Sequence, residues 1–181
     1  MERAEYDYYA TPLDATSDIL DREKLEGNIL EPSAGQGHIV TVLKTYYPEA
    51  EIVATDLIER LNDYNIQSGV DFLTYNYDRK FDNIVMNPPF SIAKEFCERA
   101  LMMANKRVFA FLKINFLEGV GRQEFFKSSP LHYIYVFSRR VSPLKNGTEK
   151  NESGKDWHST MCFAWFIWDI GYEGEPIVRW I

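Results

Sequence analysis

Asn28-Ile29-Leu30-Glu31-Pro32-Ser33-Ala34-Gly35-Gln36-Gly37-His38-Ile39-Val40 is the stretch that decides the fold. Asn28-Ile29-Leu30 reads as a short strand, and two glycines then open a helix. Glycine permits a tight turn and close backbone approach, and a helix starting near Gly37 points free N–H groups at whatever lies over the loop. About 20 residues further on, Asp56 and Leu57 follow the strand candidate Glu51-Ile52-Val53-Ala54-Thr55. A carboxylate placed there takes ribose hydroxyls in nucleoside-binding α/β folds. The dinucleotide fingerprint needs a third small residue three positions after the second glycine, where this chain has Val40. Glu31 would repel a pyrophosphate yet suits the ammonium of an amino acid. A nucleoside joined to an amino acid satisfies both observations.

Downstream, Asn87-Pro88-Pro89-Phe90 follows the apolar run Phe81-Asp82-Asn83-Ile84-Val85-Met86. The Asn87 carboxamide oxygen and the Pro88 carbonyl can both accept hydrogen bonds from one exocyclic NH2, and Phe90 offers a face for a planar ring. The prolines stop the strand and hold the loop extended before a ligand arrives. Read alone, Asn-Pro-Pro is also an ordinary loop punctuator. Its company with the glycine loop favours an amine-binding site.

Together these segments resemble class I S-adenosylmethionine-dependent methyltransferases, specifically the amino-methyltransferases with an Asn/Asp-Pro-Pro-Tyr/Phe motif. Tyr8-Tyr9-Ala10-Thr11-Pro12 looks like the N-terminal cofactor segment of the adenine-N6 enzymes, and the compact order is similar to small phage-type members. The resemblance implies S-adenosyl-L-methionine as cofactor. Its ligands would be Tyr9, Thr11, Glu31, Pro32, Ser33, Ala34, Gly35, Gly37, Asp56, Leu57, the adenine-binding pair Asp71 and Phe72, and Asn87. Asn87, Pro88, Pro89 and Phe90 would be catalytic. DNA adenine N6 leads as the target; a base in RNA and a protein glutamine amide are the alternatives within the family. From other classes, a nucleotide-binding oxidoreductase lacks its third glycine and leaves the tetrad without a task, as does a silent adaptor.

Around these motifs the chain alternates. A helix is expected from Pro12 towards Asp21 with Thr11 as cap, and Ile39, Val40, Leu43 and Tyr47 mark a second, ended by Pro48. Gly69 to Leu73 reads as a third strand or its exit, and strands are expected at Phe81 to Met86, Arg107 to Leu112, Leu131 to Phe137 and Met161 to Trp168. Ser91 looks like the cap of a helix whose Ile92, Phe96, Ala100 and Met103 share a face, and Met102-Met103 reads as core. The expectation is an α/β, Rossmann-like, doubly wound and mostly parallel seven-stranded sheet, its last two strands pairing antiparallel. Trp165 and Trp168, on a strand apolar on both faces, read as core rather than base-stacking residues.

The segment Ser138 to Thr160 is polar and aperiodic, unusual inside a compact domain unless mobile or functional. It reads as a substrate-facing loop in which Arg139, Arg140, Trp157 and His158 meet the substrate, with Lys113 at the pocket's border; a hairpin tip is the competing reading. At 181 residues the chain can bury roughly 70% of its unfolded surface, enough for one domain over 1–181. Cys97 and Cys162, like His38, His132 and His158, show no ligand spacing, so no metal is expected. No apolar run reaches bilayer length and Met1 to Glu5 lack a signal peptide's apolar stretch, so no membrane partner and a cytoplasmic location are expected. The formal charge of -7 argues against broad phosphate contacts. Weak target specificity, read by the 138–160 loop or by a second subunit, is the expectation that remains.

Overall fold

The structure, a computed structural model, describes residues 4–60, 64–148, 150, 153–155, 157 and 160–181. Seven strands form one sheet: β2 (Ile29–Glu31), β3 (Ile52–Ala54), β4 (Phe81–Met86), β5 (Ala104–Lys113), β6 (Leu131–Val136), β8 (Phe163–Asp169) and β9 (Ile177–Trp180), in spatial order β3-β2-β4-β5-β8-β6-β9. β3, β2, β4 and β5 run parallel, β8 runs antiparallel to both β5 and β6, and β9 lies parallel to β6. Two short strands, β1 (Tyr9–Ala10) and β7 (Leu144–Lys145), pair separately in antiparallel fashion.

Strand alternation distributes the core between two faces. Val108, Ala110 and Leu112 of β5 and Ala164, Phe166 and Trp168 of β8 face α3 (Ala93–Met103) and α4 (Val120–Ser128). Phe109, Phe111, Trp165 and Ile167 face α1 (Leu13–Arg22) and α2 (His38–Tyr46). Each of the buried valine, leucine, isoleucine and phenylalanine side chains stabilises the fold by about 1.5–3 kcal/mol. Both tryptophans are wholly buried, as expected, and each satisfies its N–H: Trp165 donates to the Ala15 carbonyl at 2.8 Å, Trp168 to Ser129 Oγ at 3.0 Å. The two indoles thereby tie the sheet to what packs on either side.

The sheet has the expected seven strands, with one exchanged. Residues 69–73 form no strand: Gly69 has φ +74°, and the Asp71 carboxylate accepts from Leu73 N at 3.0 Å and from Thr74 Oγ1 at 3.0 Å, curling the chain into a turn. The seventh place is taken by β9, all four of whose residues are exposed. Two helix starts also differ. Thr11 does not cap α1, and Ser91 does not cap α3, which begins after a 3-10 turn, Phe90–Ile92. Both hydroxyl residues have other partners. Ile92 and Met102 are exposed, whereas Phe96, Ala100 and Met103 pack as expected. Among the described residues, no helix is long and apolar enough to cross a membrane.

Candidate active site

The chain crosses from β2 to β3 on one side and to β4 on the other, and ligands in such sheets occupy the crevice at the carboxyl ends of the flanking strands. Glu31, Asp56 and Asn87 stand at those three ends. A cavity of about 830 Å³, counted out to its mouth, opens there. Of the residues expected to hold a cofactor, Tyr9, Thr11, Glu31, Pro32, Ser33, Ala34, Asp56, Leu57, Asp71, Phe72 and Asn87 line it, as does Pro89.

Gly35 and Gly37 shape the wall without lining it. Gly35 N–H donates to Asp56 Oδ2 at 2.7 Å, so the glycine turn is clamped to the acid at the next strand's end. Gly37 caps α2 at φ 86°, and a Cβ there would lie 2.6 Å from the Tyr64 ring, so only glycine fits. Asp56 Oδ1 accepts from Ile58 N at 2.8 Å and from Arg60 Nη1 at 3.0 Å. Arg60 in turn lies over the Tyr8 ring, 4.2 Å from its centroid.

Glu31 carries the strongest electrostatic signature. It is 1% exposed, and its Oε2 is buried without a hydrogen-bond partner. Burial pushes its pKa well above the ordinary carboxylate value, the nearby Asp56 charge adds to the rise, and a backbone hydrogen bond from Val40 opposes it. An orphaned carboxylate oxygen facing a cavity calls for a cation, and an ammonium group supplies both charge and donors.

Asn87 is held by residues far away in the chain. Its Nδ2 donates to the Tyr9 carbonyl at 2.6 Å and to Thr11 Oγ1 at 3.0 Å, while Ser33 Oγ donates to the Asn87 carbonyl at 3.2 Å. A carbonyl only accepts, so the nitrogen must face Tyr9 and Oδ1 is left as the acceptor end. Pro88 is buried and, unlike Asn87 and Pro89, does not line the cavity. Phe90 lies off the cavity, stacked on Tyr9 at 5.7 Å between centroids and tilted against Phe163 at 5.8 Å. Lys113 Nζ sits 4.3 Å from the Phe90 centroid, beside the tetrad, but the residue does not line the cavity.

The remaining basic candidates lie elsewhere. Arg139, Arg140 and Trp157 border a separate cleft of about 490 Å³ beside Pro12, Asp14 and Leu144. Arg139 pairs with Asp14 at 2.9 Å and Asp18 at 2.6 Å, and Trp157 donates to the Thr148 carbonyl at 2.7 Å. His158 lies outside the described residues. The cavity also draws on residues not singled out by sequence, among them Asp7, Tyr8, His38, Arg60 and Phe96. Tyr8 is the first residue of the recognised N-terminal segment and Asp7 adjoins it; Phe96 gave only a helical core signal.

Solved structures match almost the whole chain. A Listeria monocytogenes protein described as a class I S-adenosylmethionine-dependent methyltransferase superposes with TM-score 0.67 at 12% identity, over 98% of this chain and 67% of its own. The fold is that of class I methyltransferases. The M protein of the type I restriction enzyme EcoKI matches with TM-score 0.61 at 12% identity, over 91% of this chain and 44% of its own. In sequence, the chain is similar to the type II methyltransferase M.CvrRI of Paramecium bursaria Chlorella virus XZ-6E, 28% identical over 97 residues. That match covers 49% of this chain and about a quarter, 26%, of the relative's length. No protein-family model matches the sequence.

Proposed function

We propose that this protein is an S-adenosyl-L-methionine-dependent methyltransferase acting on an exocyclic amino nitrogen, with adenine N6 in DNA as the leading target. The observation that carries the reading is the Asn87 carboxamide, whose nitrogen is consumed by Tyr9 and Thr11 so that its oxygen alone serves the site. The residues around the cavity fit the cofactor: Glu31 for the amino acid ammonium, Asp56 for the ribose hydroxyls, and Asp71 with Phe72 for the adenine. When bound, S-adenosyl-L-methionine supplies an electrophilic methyl group on its sulfonium.

The chain's own residues perform the rest. Asn87 Oδ1 and the Pro88 carbonyl accept the two N–H groups of the target amine. They draw its lone pair out of conjugation and stabilise the positive charge that develops as the new N–C bond forms and the methyl's bond to sulfur breaks, the surplus amine proton then passing to solvent. Acceptors fixed in advance cost no reorganisation at that moment. Lys113 offers a cation beside the tetrad, and the Phe90 ring, stacked on Tyr9 and off the cavity, ties the tetrad to the N-terminal segment. The likeness to M.CvrRI and to the EcoKI M protein supports DNA over RNA. The formal charge of -7 favours, as second reading, a protein amide, which needs no phosphate contacts.

Incubating unmethylated DNA, RNA and a glutamine-bearing protein extract with the enzyme and cofactor, followed by mass spectrometry, tests the reading. N6-methyladenine in the DNA, absent with Asn87→Ala, is the expected result. Methyl transfer that survives Asn87→Ala would overturn the site, and methylated protein alone would move the substrate to the second reading.

A further inference from the structure

We propose that Thr11 is a positioning residue for methyl transfer: with the Tyr9 carbonyl it decides which end of the Asn87 carboxamide faces the substrate. The inference rests on the reading of Asn87 as the amine-binding residue. A free carboxamide flips readily, since oxygen and nitrogen are nearly isosteric, and a flipped Asn87 would present a donor to an amine that needs an acceptor. Two acceptors stand on the nitrogen side, the Tyr9 carbonyl at 2.6 Å and Thr11 Oγ1 at 3.0 Å. Thr11 is 2% exposed, so water does not replace its hydroxyl at no cost.

Residues 7–11 are built as a strap across the tetrad. At one end the Asp7 carboxylate accepts from Ser91 N at 3.1 Å and Ser91 Oγ at 3.3 Å, one residue past Phe90. At the other, Tyr9 and Thr11 take the Asn87 amide. From behind, Tyr9 and Ala10 pair with Lys145 and Leu144, and Asn146 N donates to the Tyr8 carbonyl at 3.0 Å. Tyr6 and Asp7 lie at φ 51° and 57°, a region that costs a non-glycine residue about 1–3 kcal/mol. The strap therefore enters its path under strain and is held there by its contacts with the catalytic loop. Among the described residues of the 138–160 segment, Leu144 and Lys145 pair with the strap and none lines the cavity, so the strap is their link to the tetrad.

The test compares Thr11→Val, which keeps the shape and removes the acceptor, with Thr11→Ser, which restores it. Thr11→Val is expected to lower kcat about five- to tenfold, the worth of one neutral hydrogen bond, with the dissociation constant of S-adenosylhomocysteine unchanged by calorimetry. Thr11→Ser is expected to recover most of that loss. In nitrogen-resolved NMR the Asn87 side-chain amide should shift and exchange faster with solvent in Thr11→Val only. Thr11→Ala removes the same acceptor should the valine variant not fold. A parallel loss of cofactor affinity would make Thr11 a cofactor ligand instead, and full activity in Thr11→Val beside an inactive Asn87→Ala would overturn the inference alone. Turnover by Asn87→Ala would overturn the reading beneath it.

Discussion

Asn87→Asp tests the geometry of the tetrad more sharply than any truncation. The two side chains have nearly the same shape, and the resembled motif accepts either. In this chain, however, the aspartate would set an oxygen without a hydrogen where Nδ2 now lies, 2.6 Å from the Tyr9 carbonyl oxygen. Two acceptors then face each other, the hydrogen bond to Thr11 must be remade by the hydroxyl as donor, and the Tyr9 carbonyl is orphaned. A lost neutral bond is worth about 1 kcal/mol and an orphaned buried carbonyl about 1–3 kcal/mol, so the reacting geometry is destabilised by about 2–4 kcal/mol. At 1.36 kcal/mol per decade, kcat should fall about 30- to 1,000-fold. The defect should also titrate. A protonated carboxyl carries an O–H that can donate to the Tyr9 carbonyl, so the variant's activity relative to the parent should climb as pH falls towards the carboxyl's pKa, about 3.9 before the facing carbonyl raises it. Single-turnover methyl transfer to the identified substrate from pH 5 to 9 reads this directly. An Asn87→Asp enzyme as active as the parent at pH 8, with cofactor affinity intact, would refute the argument that the strap selects an amide.

Three further outcomes follow from the cavity wall. Glu31→Gln should weaken cofactor binding yet stabilise the free protein at neutral pH. The carboxyl's folded pKa is raised, so the folded state holds the proton more tightly and stability falls as pH rises above about 4.5. The variant should therefore lack that slope and melt higher above it, by roughly 2–4 °C per kcal/mol of the orphan's cost of about 1–3 kcal/mol; calorimetric scans from pH 4 to 8 that superimpose would count against it. Cofactor binding to the parent should release protons in that same window, seen as a buffer-dependent heat. Gly35→Ala places a Cβ 2.4 Å from the Tyr8 ring at φ +57°. It should cost about 1–2 kcal/mol for the backbone alone, with weakened cofactor affinity as the ring is displaced, measured by urea unfolding and calorimetry.

Much of this was legible because burial and local turn chemistry leave local marks. Residues 84–86 of β4, 108–112 of β5 and 163–168 of β8 read as strand since both faces are covered there, which makes those runs continuously apolar. The glycine loop and the tetrad are contiguous and carry their own geometry. Residues 69–73 mislead for the same reason that β5 does not: Val70 and Phe72 are buried, at 2% and 1% exposure, but apolarity reports burial and not strand pairing, and the Asp71 side chain turns the backbone. β9 is the converse case. Ile177, Val178 and Trp180 are exposed at a sheet edge, so its pairing with β6 leaves no alternation to read.

Partnership is the layer that composition does not carry. Thr11 before Pro12 has the form of a helix cap, yet its hydroxyl accepts from Asn87, 76 residues away. Ser91 likewise has the form of a cap and is spent on Asp7, 84 residues back. Arg139 illustrates the point for charge: counted by sequence it is a cation in a basic stretch, but Asp14 and Asp18 of α1 already face it. A phosphate approaching that cleft would meet two carboxylates along with the guanidinium, so little counterion release would reward the contact. Lys113 is placed differently, over the Phe90 ring and beside the tetrad, where under the proposed function a single cation would act at short range. An acidic chain can therefore act on a nucleic acid if recognition is concentrated at the extruded base rather than spread along the backbone. Under the proposed function, that arrangement implies weak affinity for DNA on its own, with the fixed orientation of Asn87 selecting an amine as the acceptor of the methyl group.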